Sequence, residues 1–316
     1  MRTPVIIVVL VATGLAGCLW LSRAEPLPLG VERYGTPKID EASGLVPSVR
    51  NPGVYWTHND SGDGPRIFGT TSTGKLIAEF VVDGAEAKDW ETITADAEGR
   101  LYVGDIGNND NTRRDLVFYR VPEPKLDLAN PQTSGRLKVE RTLRFHYPEQ
   151  RQFPDTSELN FDAEASFWAK NTHAEAGTLY VLTKHRSDQR TVLYRFARLE
   201  SDSSLPLEKV DSFDLGGDPR NFGGMATGAA ITPDGRYLAV LSYHAIFVFE
   251  RPQSGDNYLA HLKNRIDLNQ AQTQQVEAIA WEGKDLLFTN EQAMIFRVRE
   301  PLTPRSGKFP SAETRR

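Results

Sequence analysis

The sequence predicts an all-β fold assembled from repeated four-stranded units, and three observations carry that expectation. A short segment recurs five times, as Glu41-Ala42-Ser43-Gly44-Leu45, Glu91-Thr92-Ile93, Glu164-Ala165-Ser166-Phe167, Gly228-Ala229-Ala230-Ile231 and Glu277-Ala278-Ile279-Ala280-Trp281. Each copy precedes a glycine-containing turn and further β-rich runs, and no stretch combines i, i+3, i+4 apolar spacing with helix caps. The composition, 39% hydrophobic and 25% charged over 316 residues, suffices to fill a core and excludes a disordered or collagen-like chain.

In each unit the recurring segment is the first strand. Second strands follow at Val54-Tyr55-Trp56, Leu101-Tyr102-Val103, Leu179-Tyr180-Val181, Leu238-Ala239-Val240-Leu241 and Leu286-Leu287-Phe288. Third strands are expected at Arg66-Ile67-Phe68, Leu116-Val117-Phe118-Tyr119, Val192-Leu193-Tyr194, Ile246-Phe247-Val248-Phe249 and Met294-Ile295-Phe296. Four units add a more polar, alternating run, at 76–82, 142–147, 210–215 and 265–268, as suits an outer strand with one face in water. The last unit lacks this fourth run, and the segment Leu29 to Tyr34, ahead of the first unit, is placed to supply it. Four-stranded units of this length arranged radially are β-propeller blades. Five blades closed by an N-terminal strand are therefore expected. The repeats lie 50, 73, 64 and 49 residues apart, and the long second interval leaves six blades as the alternative count, with a β-sandwich as the competing architecture.

Arg2 is followed by an uncharged run from Thr3 to Ser22, which reads as an export signal. It contains Leu15-Ala16-Gly17-Cys18, which resembles the bacterial lipobox, where the cysteine is acylated after cleavage. An uncleaved membrane anchor is the second reading and plain secretion the third. Both leading readings tether the domain in the cell envelope, outside the cytoplasm. Cys18 is the single cysteine, so no internal disulfide or thiolate metal site can form. The expected organisation is residues 1–23 as signal or lipid anchor, 24–300 as propeller, and 301–316 as a disordered proline-rich tail. A net charge of −5 without a basic run excludes nucleic acid as a partner, and the expected state is a monomer.

The segments Glu41 to Leu45, Asp89-Trp90-Glu91, Gly99 to Asn109 and Phe161-Asp162-Ala163-Glu164-Ala165 resemble exported bacterial propeller proteins of an uncharacterised family. The resemblance covers most of residues 38–300, and it extends more distantly to phytase-like and SMP-30/gluconolactonase-like propellers. It implies architecture more than chemistry, because those superfamilies include phosphoesterases, lactonases and proteins with no known activity.

In a propeller the start of each inner strand and the end of each second strand share one face. That places Glu41, Glu91, Glu164 and Glu277 at the channel mouth, with Gly228 in the fourth unit, and Asp89 and Asp162 two residues before their glutamates point the same way. Several carboxylates cannot stay ionised close together without a cation or raised pKa values. The four glutamates are accordingly candidate ligands for Ca²⁺ or Mg²⁺, against the alternative of a ring of hydrogen-bonded, ion-paired carboxylates. The second-strand ends add Asp60, Asp105, Lys184, His185, Tyr243 and Glu291 as ligand-binding candidates. Asn59 to Gly64 resembles the start of an EF-hand loop, but Thr70 stands where a bidentate Glu is required, so an ordinary turn is expected. His58, His185 and His244 also fall at second-strand ends, where one could act as a general base, though alternation prevents all three from facing the channel. The sequence holds no Gly-x-Ser-x-Gly elbow, His-Glu-x-x-His helix or P-loop. Trp56, Trp90, Trp168 and Trp281 are expected to pack between blades. The functional expectation is a membrane-tethered extracytoplasmic propeller that binds a small molecule or protein at an acidic mouth around a divalent cation, with a metal-dependent hydrolase and a cell-envelope scaffold as alternatives.

Overall fold

The computed structural model describes residues 31–130, 133–170 and 177–303; Cys18 and the segment around it, and the tail beyond residue 303, lie outside the described residues. Five sheets surround one axis. From the axis outward, blade 1 holds strands Ala42–Pro47, Val54–Asn59, Arg66–Thr71 and Leu76–Asp83, and blade 2 holds Trp90–Ala95, Arg100–Asp105, Val117–Pro122 and Arg141–His146. Blade 3 follows with Ala163–Ala169, Thr178–Thr183, Arg190–Arg195 and Glu208–Asp214, and blade 4 with Ala226–Ile231, Tyr237–Ser242, Ala245–Glu250 and Leu262–Asp267. Blade 5 contributes Val276–Glu282, Asp285–Asn290 and Met294–Val298. The inner strands touch in cyclic order, blade 5 against blade 1 included, so the ring closes.

Closure is made by the other end of the chain. Val31–Arg33 pairs antiparallel with Met294–Val298, Val31 opposite Phe296 and Arg33 opposite Met294, and the Tyr34 N–H donates to the Ala293 carbonyl at 3.0 Å. The expected five-bladed ring with an N-terminal closing strand is the observed one. Among the described residues no sixth blade occupies the long intervals. Thr133–Lys138, inside blade 2, reaches back and pairs in parallel with Leu76–Asp83 of blade 1, and Leu205–Pro206, inside blade 3, does the same with Arg141–His146 of blade 2. The extra sequence thus covers outer edges that would otherwise present unpaired backbone groups.

Burial follows position in the blade. The second strand Thr178–Thr183 is buried at every residue, whereas the outer strand Leu262–Asp267 alternates between buried and exposed. Trp56 and Trp90 are fully enclosed, and the Trp281 indole N–H crosses from blade 5 to the Ala230 carbonyl of blade 4 at 3.1 Å. Trp168 packs partly buried against the core between blades 2 and 3.

A polar clasp that sequence inspection does not reveal joins blades 1 and 2. The carboxylate of Glu123, 2% exposed, accepts from the Val49 and Arg50 amides at 3.1 Å, Asn51 Nδ2 at 3.2 Å, the Trp56 indole at 2.9 Å and the Ser48 hydroxyl. Five donors on one buried carboxylate satisfy a loop that would otherwise carry orphaned N–H groups.

Two outcomes follow for stability. Removing residues 1–23 leaves the ring intact, whereas removing 1–36 strips the closing strand and buried Tyr34 and costs about 3 kcal/mol; equal denaturation midpoints for the two truncations would refute closure by this strand. Replacing Glu123 by Gln turns an amide NH₂ toward these donors and should lower stability by about 2 kcal/mol in urea melts.

Candidate functional site at the channel mouth

Each inner strand carries a bulge at the same place. The pairing register skips between Ala42 and Leu45, Trp90 and Thr92, Ala163 and Ala165, Ala226 and Gly228, and Val276 and Ala278. A bulge inserts an unpaired residue and re-aims its side chain. The inserted residue is Glu91, Glu164, Thr227 and Glu277 in blades 2 to 5, and Ser43 followed by Gly44 in blade 1.

This register corrects the expected set of glutamates. Glu41 lies two residues before Ser43, level with Asp89 and Asp162, and it is exposed, whereas Glu91, Glu164 and Glu277 are only 4–5% exposed. Three glutamates, not four, share one place, and the fourth blade fills it with Thr227 rather than Gly228. The pattern Asp89-Trp90-Glu91 and Asp162-Ala163-Glu164, laid over Glu41-Ala42-Ser43, contains this alignment.

Two unlike halves result. On the side of blades 1 and 2, carboxylate oxygens of Asp60, Asp89 and Glu91 all lie within 4.8 Å of one another. Gly107 makes room for them, since a Cβ there would collide with the Asp89 and Glu91 carboxylates, and the Ser43 hydroxyl donates to Glu91 Oε2 at 3.4 Å. Across the mouth a chain of polar contacts links blades 3, 4 and 5. Lys184 pairs with Glu164 and donates to the Tyr243 hydroxyl at 2.9 Å, and Tyr243 donates to Glu277 Oε1 at 2.9 Å. Glu291 accepts from Gln275 Nε2 at 2.9 Å. Between the halves, Arg186 grips Asp162 through Nε at 3.1 Å and Nη2 at 2.9 Å, while the other Asp162 oxygen accepts the Asn108 N–H at 2.7 Å. Buried Glu164 Oε2, Glu277 Oε2 and Thr227 Oγ1 have no hydrogen-bond partner among the described residues.

Other candidates are engaged elsewhere. Asp105 accepts the amides of Lys88 and Asp89 at 3.3 and 3.1 Å and pairs with Arg113 at 2.8 Å, so it sets the approach of the Asp89 backbone. His185 pairs with Asp188 at 2.7 Å, His244 meets the Asn221 carbonyl at 3.0 Å, and His58 is fully buried with its ring edge-on to Trp90. Asp63, in the loop that resembles an EF-hand, caps its own turn at Gly64 and binds Arg66.

The electrostatics reflect crowding. Burial, reinforced by the charges of Asp60 and Asp162, pushes the Asp89 carboxyl up to about 6. Burial and the neighbouring Glu164 hold Glu91 well above the carboxylate range. Burial raises Glu164 to about 7 even though the Lys184 ammonium opposes it, and burial with the Glu164 charge raises Glu277 strongly. Burial works against the Lys184 charge, but Glu164 and Glu277 outweigh it and keep its pKa above the ordinary lysine value. Burial pushes His58 and His185 down toward the neutral imidazole.

The fold and mouth together define a five-bladed β-propeller with an acidic, asymmetric channel opening. No protein-family model and no curated protein matches the chain. Among solved structures it is similar to virginiamycin B lyase from Staphylococcus aureus, at 13% identity over 84% of this chain and 68% of that one, with a TM-score of 0.38. It is also similar to the Cps50 (Swd1) β-propeller domain of Myceliophteria thermophila, at 11% identity over 85% of this chain and 99% of that one, with a TM-score of 0.40.

The raised carboxyls fix the sign of a pH effect. A carboxyl whose folded pKa lies above its unfolded value contributes stability that is complete below the unfolded pKa and lost as pH rises through the folded one. Depressed His58 and His185 act in the opposite sense below about 6.5. In chelator the melting temperature should therefore fall between pH 6.5 and 8, as Asp89 and Glu164 deprotonate; a temperature that stays level or rises across this window would contradict the crowding.

Proposed function

We propose that the protein is a membrane-tethered, extracytoplasmic β-propeller that binds its ligand at the channel mouth around a divalent cation held by Asp60, Asp89 and Glu91. The convergence of these three carboxylates carries the reading. Oxygens on one Ca²⁺ at 2.3–2.6 Å can be at most about 5 Å apart, and hard oxygen donors suit Ca²⁺ or Mg²⁺. The 4.8 Å limit among the three meets that condition, and the space left by Gly107 supports it. A cation there would supply the positive charge that the other half of the mouth obtains from Lys184. It would also offer open coordination positions to an anionic or oxygen-rich ligand, a small molecule or a protein side chain.

Binding is favoured over hydrolysis because His185 pairs with Asp188 and His244 meets the Asn221 carbonyl, while His58, close enough to feel the Asp60 charge, is fully buried with its Nδ1 against the Asn59 carbonyl and no path to a ligand. Tethering is read from Leu15-Ala16-Gly17-Cys18, with acylation at Cys18.

Calcium titration tests the reading. An ion that binds only the folded state raises the melting temperature with concentration by mass action, and the gain should be larger at pH 8 than at pH 6, where protons compete for Asp89. Asp89→Asn and Glu91→Gln should each abolish most of the rise while leaving the chain folded. A melt insensitive to Ca²⁺ and Mg²⁺ at both pH values would refute the cation. For the tether, native protein should carry lipid on Cys18, and Cys18→Ser should remove it; an intact Met1 without lipid in mass spectrometry would replace acylation by an uncleaved anchor.

A further inference from the structure

A second concavity lies away from the channel, where blade 2 meets the segment reaching back from blade 3. Its volume is about 250 Å³, and Arg113, Arg114, Phe145, His146, Phe153 and Ser204 contribute to its wall. The parallel pairing of Phe145 with Leu205 and His146 with Pro206 builds one side, and His146 Nδ1 lies 3.0 Å from the Ser204 hydroxyl. No carboxylate among the described residues lines it, although the chain as a whole is negatively charged.

The two arginines differ in what they have left to give. Arg113 is neutralised from behind by Asp105 at 2.8 Å and Asp115 at 3.1 Å, and it donates to the Gly107 carbonyl at 2.9 Å. Arg114 has no carboxylate partner among the described residues; its guanidinium carbon sits 3.8 Å from the centre of the Phe153 ring. Stacking of that kind fixes the plane of the guanidinium while leaving its N–H edges free, which is the geometry that grips a carboxylate or phosphate with two parallel hydrogen bonds. Phe145, Phe153 and Leu116 supply apolar wall beside it.

We propose that this cavity binds a small organic oxyanion carrying a single ring, with the anionic group on Arg114 and the ring against the phenylalanines. The volume falls below the ~300–1,000 Å³ of pockets for drug-sized ligands, which limits the occupant to about one ring and its substituent. His146 and Ser204 offer further hydrogen-bonding groups at the rim. Arg114 itself makes no contact with Asp60, Asp89 or Glu91, whereas Arg113 in the same wall reaches toward the channel through Asp105 and the Gly107 carbonyl, so the test of this cavity is made without the channel cation.

Isothermal titration of the full chain with phenyl phosphate, inorganic phosphate and benzyl alcohol, in chelator so that the channel cation plays no part, separates the contributions. Phenyl phosphate should bind saturably and at least tenfold more tightly than inorganic phosphate, and benzyl alcohol should not saturate. Arg114→Gln should weaken phenyl phosphate at least tenfold. Arg114→Lys, which keeps charge but not the planar fork, should weaken it less, and Phe153→Leu should reduce the preference for phenyl phosphate over phosphate. The proposal is overturned if phenyl phosphate fails to saturate up to about 10 mM, if Arg114→Gln binds it as wild type does, or if the two phosphates bind equally.

Discussion

Five inner strands meeting at one axis bring their bulge residues into a volume too small for five like side chains in one ionisation state, and much of the molecule answers to that crowding. Blade 1 spends its place on Ser43 and blade 4 on Thr227, leaving three glutamates instead of five carboxylates. Even three are too many without help, because each buried ionised carboxylate loses its hydration and repels the next. One half of the mouth answers with an ammonium. Lys184 is drawn into the channel, where Glu164 and the Tyr243–Glu277 pair keep it charged despite its burial. In the other half no lysine or arginine among the described residues pairs with Asp60, Asp89 or Glu91, and burial with the Asp60 and Asp162 charges outweighs the opposing charge of Arg113, so the carboxyls answer by holding protons, with Asp89 raised to about 6. A bound proton and a bound divalent cation are alternative solutions to the same local excess of negative charge.

The periphery solves a different problem. A ring of sheets ends in outer strands with unpaired backbone groups, and the chain covers two of them with its own later segments, Thr133–Lys138 on blade 1 and Leu205–Pro206 on blade 2. These reach-back strands cross from one blade to the next, so they stitch neighbours together as well as masking an edge. The Glu123 clasp acts at the same junction between blades 1 and 2, and Asp256 plays a comparable part further round, accepting from Tyr180 at 3.0 Å and from Arg195 at 2.5 Å. Contacts this distant in sequence carry a loop-closure cost before they return any stability, and the last of them, between Val31–Arg33 and Met294–Val298, can form only once both ends of the domain are in place.

Architecture was legible in the sequence because the apolar periodicity of strands repeats with the blade. Second and third strands, and the shortage of one strand in the last unit, are visible as runs of Leu, Val, Tyr and Phe, and they led to the observed closure. What sequence spacing could not resolve was register within a repeat. Aligning on glutamate set Glu41 beside Glu91, whereas the ladder sets Ser43 there, because a bulge consumes residues that no periodicity records. The long second interval suggested room for another blade for a related reason: a strand that leaves its own sheet to join a neighbour's looks, in sequence, like any other strand. Gly107 and Arg186 went unnoticed because their roles are spatial, one through the side chain it lacks and the other through a carboxylate 24 residues earlier in the chain.

The division of labour between two columns of residues explains how a repeated fold carries a non-repeated site. The residue just before each bulge is Ala42, Trp90, Ala163, Ala226 and Val276, apolar and at most 1% exposed in all five blades, and this column packs the inner ring. The residue just after each second strand is Asp60, Ile106, Lys184, Tyr243 and Glu291, different in every blade. The first column must be similar because each inner strand faces the same kind of neighbours around the axis. The second is free to vary because it borders the opening, where each side chain is judged only by those across from it. Asymmetry at the mouth therefore costs the ring little, and it places negative charge beside blades 1 and 2 and a buried cation beside blade 3. Those two poles make the mouth directional, which five identical positions could not do.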